Sequence, residues 1–368
     1  MPISAADSVS LAFEHTRKQL FQPFRFGQWI RLAIVGLLAG ELGSGGGCNR
    51  SNLNFPTHPG APSHSPFPHF PAMDLALLAS LIAVIVIAAF VIGIIFAYIS
   101  SVMRFILFDS VLAKQCHIRD GWMRRQGPGW RFFLWKLFYL FATLAGFALL
   151  IGVPAAFAFA MGWLTAPKEH VLPLVLGGIL LFLVLLIFVI TLAVIFVLTK
   201  DFVVPQMALE EIGVFEGWRR LWPMIEAEKA SYAGYVGLKI LLAIGAGILV
   251  GIATLILGLI IAIPTVGLSI IAIVTGKTAG LTWNAYTITL AVVIGSVLLA
   301  IFMFLIALIS VPVIVFFPAY SIYFFASRYP ALSASLYALA QPATQPFIAP
   351  PIPPQQPPPL PPTPQPAG

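Results

Sequence analysis

KDFVVPQMALEEIGVFEGWRRLWPMIEAEKASYAGYVGLK, Lys200–Lys239, is a polar island between long apolar blocks, and its echoes elsewhere in the chain set the architecture. Its centre, Phe215-Glu216-Gly217-Trp218-Arg219-Arg220, matches Arg119-Asp120-Gly121-Trp122-Met123-Arg124 at an offset of 96 residues. Acid, glycine, tryptophan and the second base fall in register. A fainter copy is Phe13-Glu14-His15-Thr16-Arg17-Lys18. Each copy leads through aromatic and basic residues into an apolar block: Arg25-Phe26 with Trp29 and Arg31, Arg131-Phe132 with Trp135 and Lys136, and Tyr232 with Tyr235 and Lys239. Self-similarity at a period of about 100 residues predicts three repeated units. The competing reading is that Trp, Tyr, Lys and Arg gather at every membrane interface whatever its ancestry.

Working outward, the composition leaves one solvent for most of the chain. Sixty per cent of the residues are hydrophobic and nine per cent charged, and the mean hydropathy is +0.97. These values belong to integral membrane proteins, not to soluble domains. Charge-free runs cover 75–103, 137–167, 170–199, 240–276 and 278–327. Each exceeds the roughly 20 residues that carry a helix across a ~30 Å hydrocarbon core. Continuous apolar character without alternation argues against barrel strands. The net charge of +7 sits beside the span ends and not on one soluble domain, so no nucleic-acid partner is expected.

In chain order, residues 1–26 are an amphipathic cytoplasmic lead-in, with Val9, Ala12, Phe13, Leu20 and Phe21 on the apolar face of a surface helix. Residues 27–71 hold a short first span, Trp29–Leu42, with Glu41 near its outer end, and a polar outer loop. Residues 72–328 form the helical membrane domain. Seven bases against two acids between 104 and 136 place that loop, and both chain termini, in the cytoplasm of a cell whose inner membrane holds the protein. Pro264, Gly267 and Gly276 predict that 263–280 breaks away from the preceding span as a short outer or re-entrant segment. Residues 329–368 form a proline-rich disordered tail. Thirteen of the last twenty-eight residues are proline, and Pro351-Ile352-Pro353-Pro354 fits a PxxP ligand through which a protein partner could bind.

Chemistry is poorly supplied. No G-x-S-x-G, H-E-x-x-H or Walker-type loop is present, and the middle of every long run lacks an ionisable residue. The chain is therefore expected not to be an enzyme and to carry no catalytic residue, cofactor or metal. His58, His64 and His69 have no fixed geometry among prolines, and Glu210, Glu211, Glu216, Glu226 and Glu228 with Asp201 read as solvated faces. Cys48 and Cys116 are expected on opposite sides of the membrane. Asn284, Tyr286, Thr287, Thr191 and Ser296 are read as helix-to-helix hydrogen bonders. The sharpest candidates are Trp122 and Trp218 at headgroup depth, with Arg124, Arg125, Arg219 and Arg220 meeting the phosphates of anionic lipids.

Asp201-Phe202-Val203-Val204-Pro205 closing a span, the amphipathic Val214–Trp222, and Tyr232–Lys239 opening the next resemble bacterial multi-span proteins. These are the membrane domain beside some glycerophosphoryl diester phosphodiesterases and related domains of unknown function, and the likeness covers 70–340. The chemistry of those phosphodiesterases belongs to a soluble barrel with an early His-Arg-Gly, which this chain lacks. The resemblance implies the membrane architecture and not the activity. The expectation is an all-α integral membrane protein of about six transmembrane helices, arranged as three pseudo-repeated hairpins with interfacial amphipathic helices. It would act as a scaffold or accessory protein that contacts lipid headgroups, or alternatively as a passive or partner-driven transporter.

Overall fold

Ser4 opens the first helix by accepting the Asp7 N–H at 3.1 Å, and Asp7 adds negative charge to the first turn, where the helix dipole favours it. The computed structural model describes residues 3–41, 75–166, 168–278 and 285–338. In chain order the helices are α1 (Ala5–Phe21), α2 (Phe26–Ala39), α3 (Leu75–Leu112), α4 (Ile118–Ala160) and α5 (Val171–Leu198). One π-helical turn, Thr199–Val203, joins α5 to α6 (Val204–Glu210). Then follow α7 (Val214–Ala227), α8 (Lys229–Thr278), α9 (Ala285–Ala326) and α10 (Pro330–Ala338). Among the described residues the protein is all-helical.

Five of these helices, α3, α4, α5, α8 and α9, are long and apolar enough to cross a membrane. The expected sixth crossing differs. Helix α2 has 14 residues, a rise of about 21 Å, and it ends at Gly40 in the left-handed conformation. Glu41, expected at an outer end, instead meets Arg104 of α3 at 2.9 Å. The expected break after residue 262 is also absent, because α8 continues through Pro264 to Thr278. Proline removes one N–H from the ladder without ending the helix, a loss that apolar membrane helices tolerate.

The long helices have two different halves. Every residue from Ile82 to Phe96 of α3 is exposed, so no side of that stretch is covered by protein. Exposed Leu, Ile and Phe likewise crowd α4 beyond Phe138, α5 before Val194, α8 beyond Ile240 and α9 before Met303. These are the arms. Below them, α1, α2, α6, α7, α10 and the near ends of the long helices pack one core, which includes Leu32, Phe105, Phe132, Phe202, Tyr235, Tyr320 and Phe324. This is the base.

Two expectations about the base are corrected. Helix α1 is not a helix lying alone on a surface. Its packed face is Ser8, Ala12, His15, Thr16, Gln19 and Leu20, while Phe13 and Phe21 point outward. That face is chosen by hydrogen bonds, since Gln19 donates to the Ser110 carbonyl at 2.9 Å and His15 bonds the Val111 carbonyl at 3.0 Å. Nor is everything from 329 onward tail. Pro330 sits at the start of α10, whose Leu332 and Leu336, one turn apart, are buried in the base. Residues 339–368, with the PxxP segment, and residues 42–74, with Cys48 and the three loop histidines, lie outside the described residues.

Candidate functional site

Four bases mark the ends of charge-free runs: Arg104 closes the first, Lys136 opens the second, Lys200 closes the third and Lys239 opens the fourth. The fold brings all four together. Arg104 Nη1 lies 2.9 Å from Glu41 Oε1 and its Nη2 donates to the Ala39 carbonyl at 2.9 Å. Lys200 Nζ pairs with Glu41 Oε2, and Lys239 Nζ with Asp201 Oδ2. The Tyr235 hydroxyl donates to that same Asp201 oxygen at 3.0 Å. Lys136 Nζ donates to Ser100 Oγ at 3.2 Å, and Ser100 Oγ donates to the Ala39 carbonyl at 3.3 Å, the acceptor Arg104 already uses.

The local backbone explains how adjacent Lys200 and Asp201 both face inward. They lie in the π-helical turn, whose wider winding turns consecutive residues differently from an α-helix. Such turns occur mostly as single insertions and often at functional sites. Thr199 pins this one, donating to Ile195 O at 2.7 Å and accepting from Trp218 Nε1 at 2.9 Å. Glu41, Arg104, Lys200, Asp201, Phe317 and Ser321 line a cavity of about 30 Å³ on the Arg104–Lys200 side of the cluster. Arg104 Nε, in a residue 7% exposed, has no hydrogen-bond partner.

The six residues singled out as headgroup contacts separate. Arg124 is exposed, and the Arg219 side chain is 79% exposed with an ion pair to Glu216 at 2.9 Å. Arg220 joins Glu210 and Glu216. Arg125 is not available to a headgroup. It is buried, grips both oxygens of Asp109 at 2.7 Å and donates to the Ala208 carbonyl. Bidentate pairing and burial fix it as a bolt between α3, α4 and α6. Trp122 is half-buried, edge-on to Tyr98 at 6.2 Å, and Trp218 is held by Thr199.

The shared glycine of the two motifs has a packing cause. A Cβ on Gly217 would lie 2.6 Å from Val203 Cγ1, and one on Gly121 would lie 3.1 Å from Ile106 Cγ1. Each motif thus starts a helix against the end of the preceding long one. On α1, His15 Nε2 donates to Val111 O, which leaves Nδ1 to accept the Tyr323 hydroxyl at 3.1 Å. Burial, and then the charge of Lys114, hold this imidazole down at about 4.

Three further acidic residues of the island have side-chain partners. Glu210 takes Arg220 and the Tyr329 hydroxyl, Glu226 takes Trp222 Nε1 at 2.7 Å, and Glu228 takes Arg328 at 2.8 Å. Thr191 and Ser296 bond carbonyls of their own helices, at Ile187 and Val293, and not a neighbouring helix. The nearest acceptor for such a hydroxyl is the carbonyl one turn back. The expected hydrogen-bonding role of Asn284 lies outside the described residues.

Five long apolar helices rising from a buried, charge-bearing base define a multi-pass helical membrane protein. The chain belongs to a family of unknown function, DUF7544, whose model matches residues 3–335. Neither a curated protein nor a solved structure matches it.

Proposed function

We propose that the protein is a non-enzymatic membrane scaffold or accessory protein whose base lies in the cytoplasmic headgroup layer of the cell's inner membrane and holds anionic lipids. The observation that carries this reading is the placement of exposed Arg124 and Arg219 beside half-buried Trp122 and Trp218. All four belong to helices that start where the apolar arms end. Tryptophan prefers the headgroup layer, and each arginine near an anionic surface adds about 1 kcal/mol of attraction. The cytoplasmic side follows from the seven bases against two acids between 104 and 136. In this reading α1 and α10, both packed in the base, lie on the same cytoplasmic side. A pseudo-threefold repeat of the helix-opening motifs is part of the proposal, as is a protein partner bound through the proline-rich residues beyond 340. So is the likeness to membrane domains that work beside a separate phosphodiesterase. A transporter would need a water path between the arms, whereas the charged cavity described above lies in the base.

Native mass spectrometry from gentle detergent tests the reading, with phosphatidylglycerol and phosphatidylcholine offered together. Wild type is expected to retain phosphatidylglycerol, and Arg124→Ala/Arg219→Ala to lose most of the adducts at the lowest activation energies. Equal retention by both proteins would overturn the headgroup contact. Removal of 339–368 should leave lipid retention unchanged, since that segment is assigned to a partner.

A further inference from the structure

Beneath the arms, and among the described residues, four cations, Arg104, Lys136, Lys200 and Lys239, share two carboxylates, Glu41 and Asp201, two fewer than the cations. Their charges act on one another as one group. Lys200 and Arg104 divide Glu41, and Lys239 shares Asp201 with the Tyr235 hydroxyl. Lys136 makes its direct contacts with a serine hydroxyl and the face of Phe132, 5.0 Å away, and feels Glu41 only through the field. Buried charge without a counter-charge is costly and persists when something supplies the missing sign.

The space and the donors for a counter-ion are present at the same place. The cavity of about 30 Å³ exceeds the ~10–15 Å³ that one water centre needs. A tetrahedral oxyanion needs more room than one water, so its entry requires a lysine stem to turn aside. The cavity wall carries Glu41 and Asp201, each already paired with a cation, and beside them Lys200, Ser321 and Arg104, whose Nε is unpartnered and whose side chain is more than nine-tenths buried. Guanidinium and ammonium donors around a small cavity are the chemistry that recognises phosphate.

We propose that this cavity binds a phosphate group, with Arg104 and Lys200 as direct donors and Lys136 and Lys239 supplying the field. The carrier favoured by the fold is an anionic phospholipid. Helices α3 and α9, which contribute to the cavity wall, run on into arms that expose apolar side chains on which acyl chains can lie. The site is separate from Arg124 and Arg219, which face outward on α4 and α7.

Thermal unfolding of the full-length protein in dodecyl maltoside, followed by tryptophan fluorescence, tests the site against four probes. They are dioleoyl phosphatidic acid, dioleoyl phosphatidylglycerol, dioleoyl phosphatidylcholine and inorganic phosphate. Phosphatidic acid is expected to raise the Tm of wild type by at least ~3 °C at saturation, with phosphatidylcholine giving no rise. Lys136→Gln leaves both carboxylates paired, so it is expected to fold while its apparent affinity falls about tenfold. Lys136→Arg should restore the response, and Arg124→Ala/Arg219→Ala should keep it. A rise with inorganic phosphate equal to that with phosphatidic acid supports the phosphate site and assigns it a soluble carrier. The proposal is overturned by equal responses to phosphatidylcholine and phosphatidic acid, by an unchanged response in Lys136→Gln, or by no response to any probe. Loss of the response in Arg124→Ala/Arg219→Ala alone would also overturn it and move the lipid to the outer surface of the base.

Discussion

The base and the arms are made from the same helices and obey different rules. Within α3, Ile82–Phe96 is exposed on all sides, while Val102, Phe105 and Ile106, only two turns further on, are buried to 1% or less. In the arms nothing but lipid is needed to satisfy the surface, because acyl chains are as apolar as leucine and give helices no hydrophobic reason to associate. In the base, charged groups and stacked aromatics such as Tyr235 on Tyr320, 4.8 Å apart, demand specific partners. Specificity in this protein is therefore concentrated in its base, and lipid compatibility in its arms.

The strongest way to break that contrast is to remove a counter-charge from the base. Asp201 is 4% exposed and holds Lys239 and the Tyr235 hydroxyl. Asp201→Asn would leave a buried ammonium without its carboxylate and raise the cationic excess. The expected loss is about 3–5 kcal/mol, read as a fall in the unfolding midpoint in detergent. A midpoint within one degree of wild type would mean that the ion pairs of the base are ornamental.

A second cut tests close packing in place of charge. Gly217→Ala drives a methyl to within 2.6 Å of Val203, on the π-helical turn that carries Asp201, and overpacking of this kind costs about 1–3 kcal/mol. Gly121→Ala, at 3.1 Å from a flexible isoleucine end, should cost less. His15 gives a third, pH-dependent test. Its folded pKa of about 4 lies below the ordinary 6.5, so the unfolded chain takes up the proton first. The stability it contributes is complete above about pH 6.5 and is lost as pH falls toward 4. At pH 5 the loss is on the order of 2 kcal/mol. His15→Gln should flatten the pH dependence of the unfolding midpoint between 7 and 5.

These residues also mark what could be read from the sequence. The five long apolar helices were legible because runs such as 170–199 have no competing interpretation in water. The Gly-Trp register was legible as well, but its cause was not, since a glycine demanded by Val203 and one demanded by a lipid interface look identical in sequence. Arg125 departs from the headgroup expectation for a related reason: adjacent arginines point to different sides of a helix, and only the fold shows that Asp109 faces the second. The charged cluster was missed although its signal was present. Arg104, Lys136, Lys200 and Lys239 each bound an apolar run, a position that reads equally as a topology marker or as a basic entry into the span. Glu41 was the clue, an acid at the end of a helix too short to cross.

The smallest expected effect lies in the arms. Leu249 on α8 is 70% exposed, surrounded by apolar exposed neighbours such as Ile248 and Ile252. Leu249→Ala exchanges a contact with detergent or lipid for another of the same kind and opens no cavity, so the unfolding midpoint should move by less than the equivalent of ~0.5 kcal/mol. The same truncation inside the base would cost several times more. A large loss at Leu249 would mean that this surface is covered by protein, either a second copy or a partner helix. The arms would then be an interface awaiting its other half, and the contrast between the two regions would belong to the isolated chain alone.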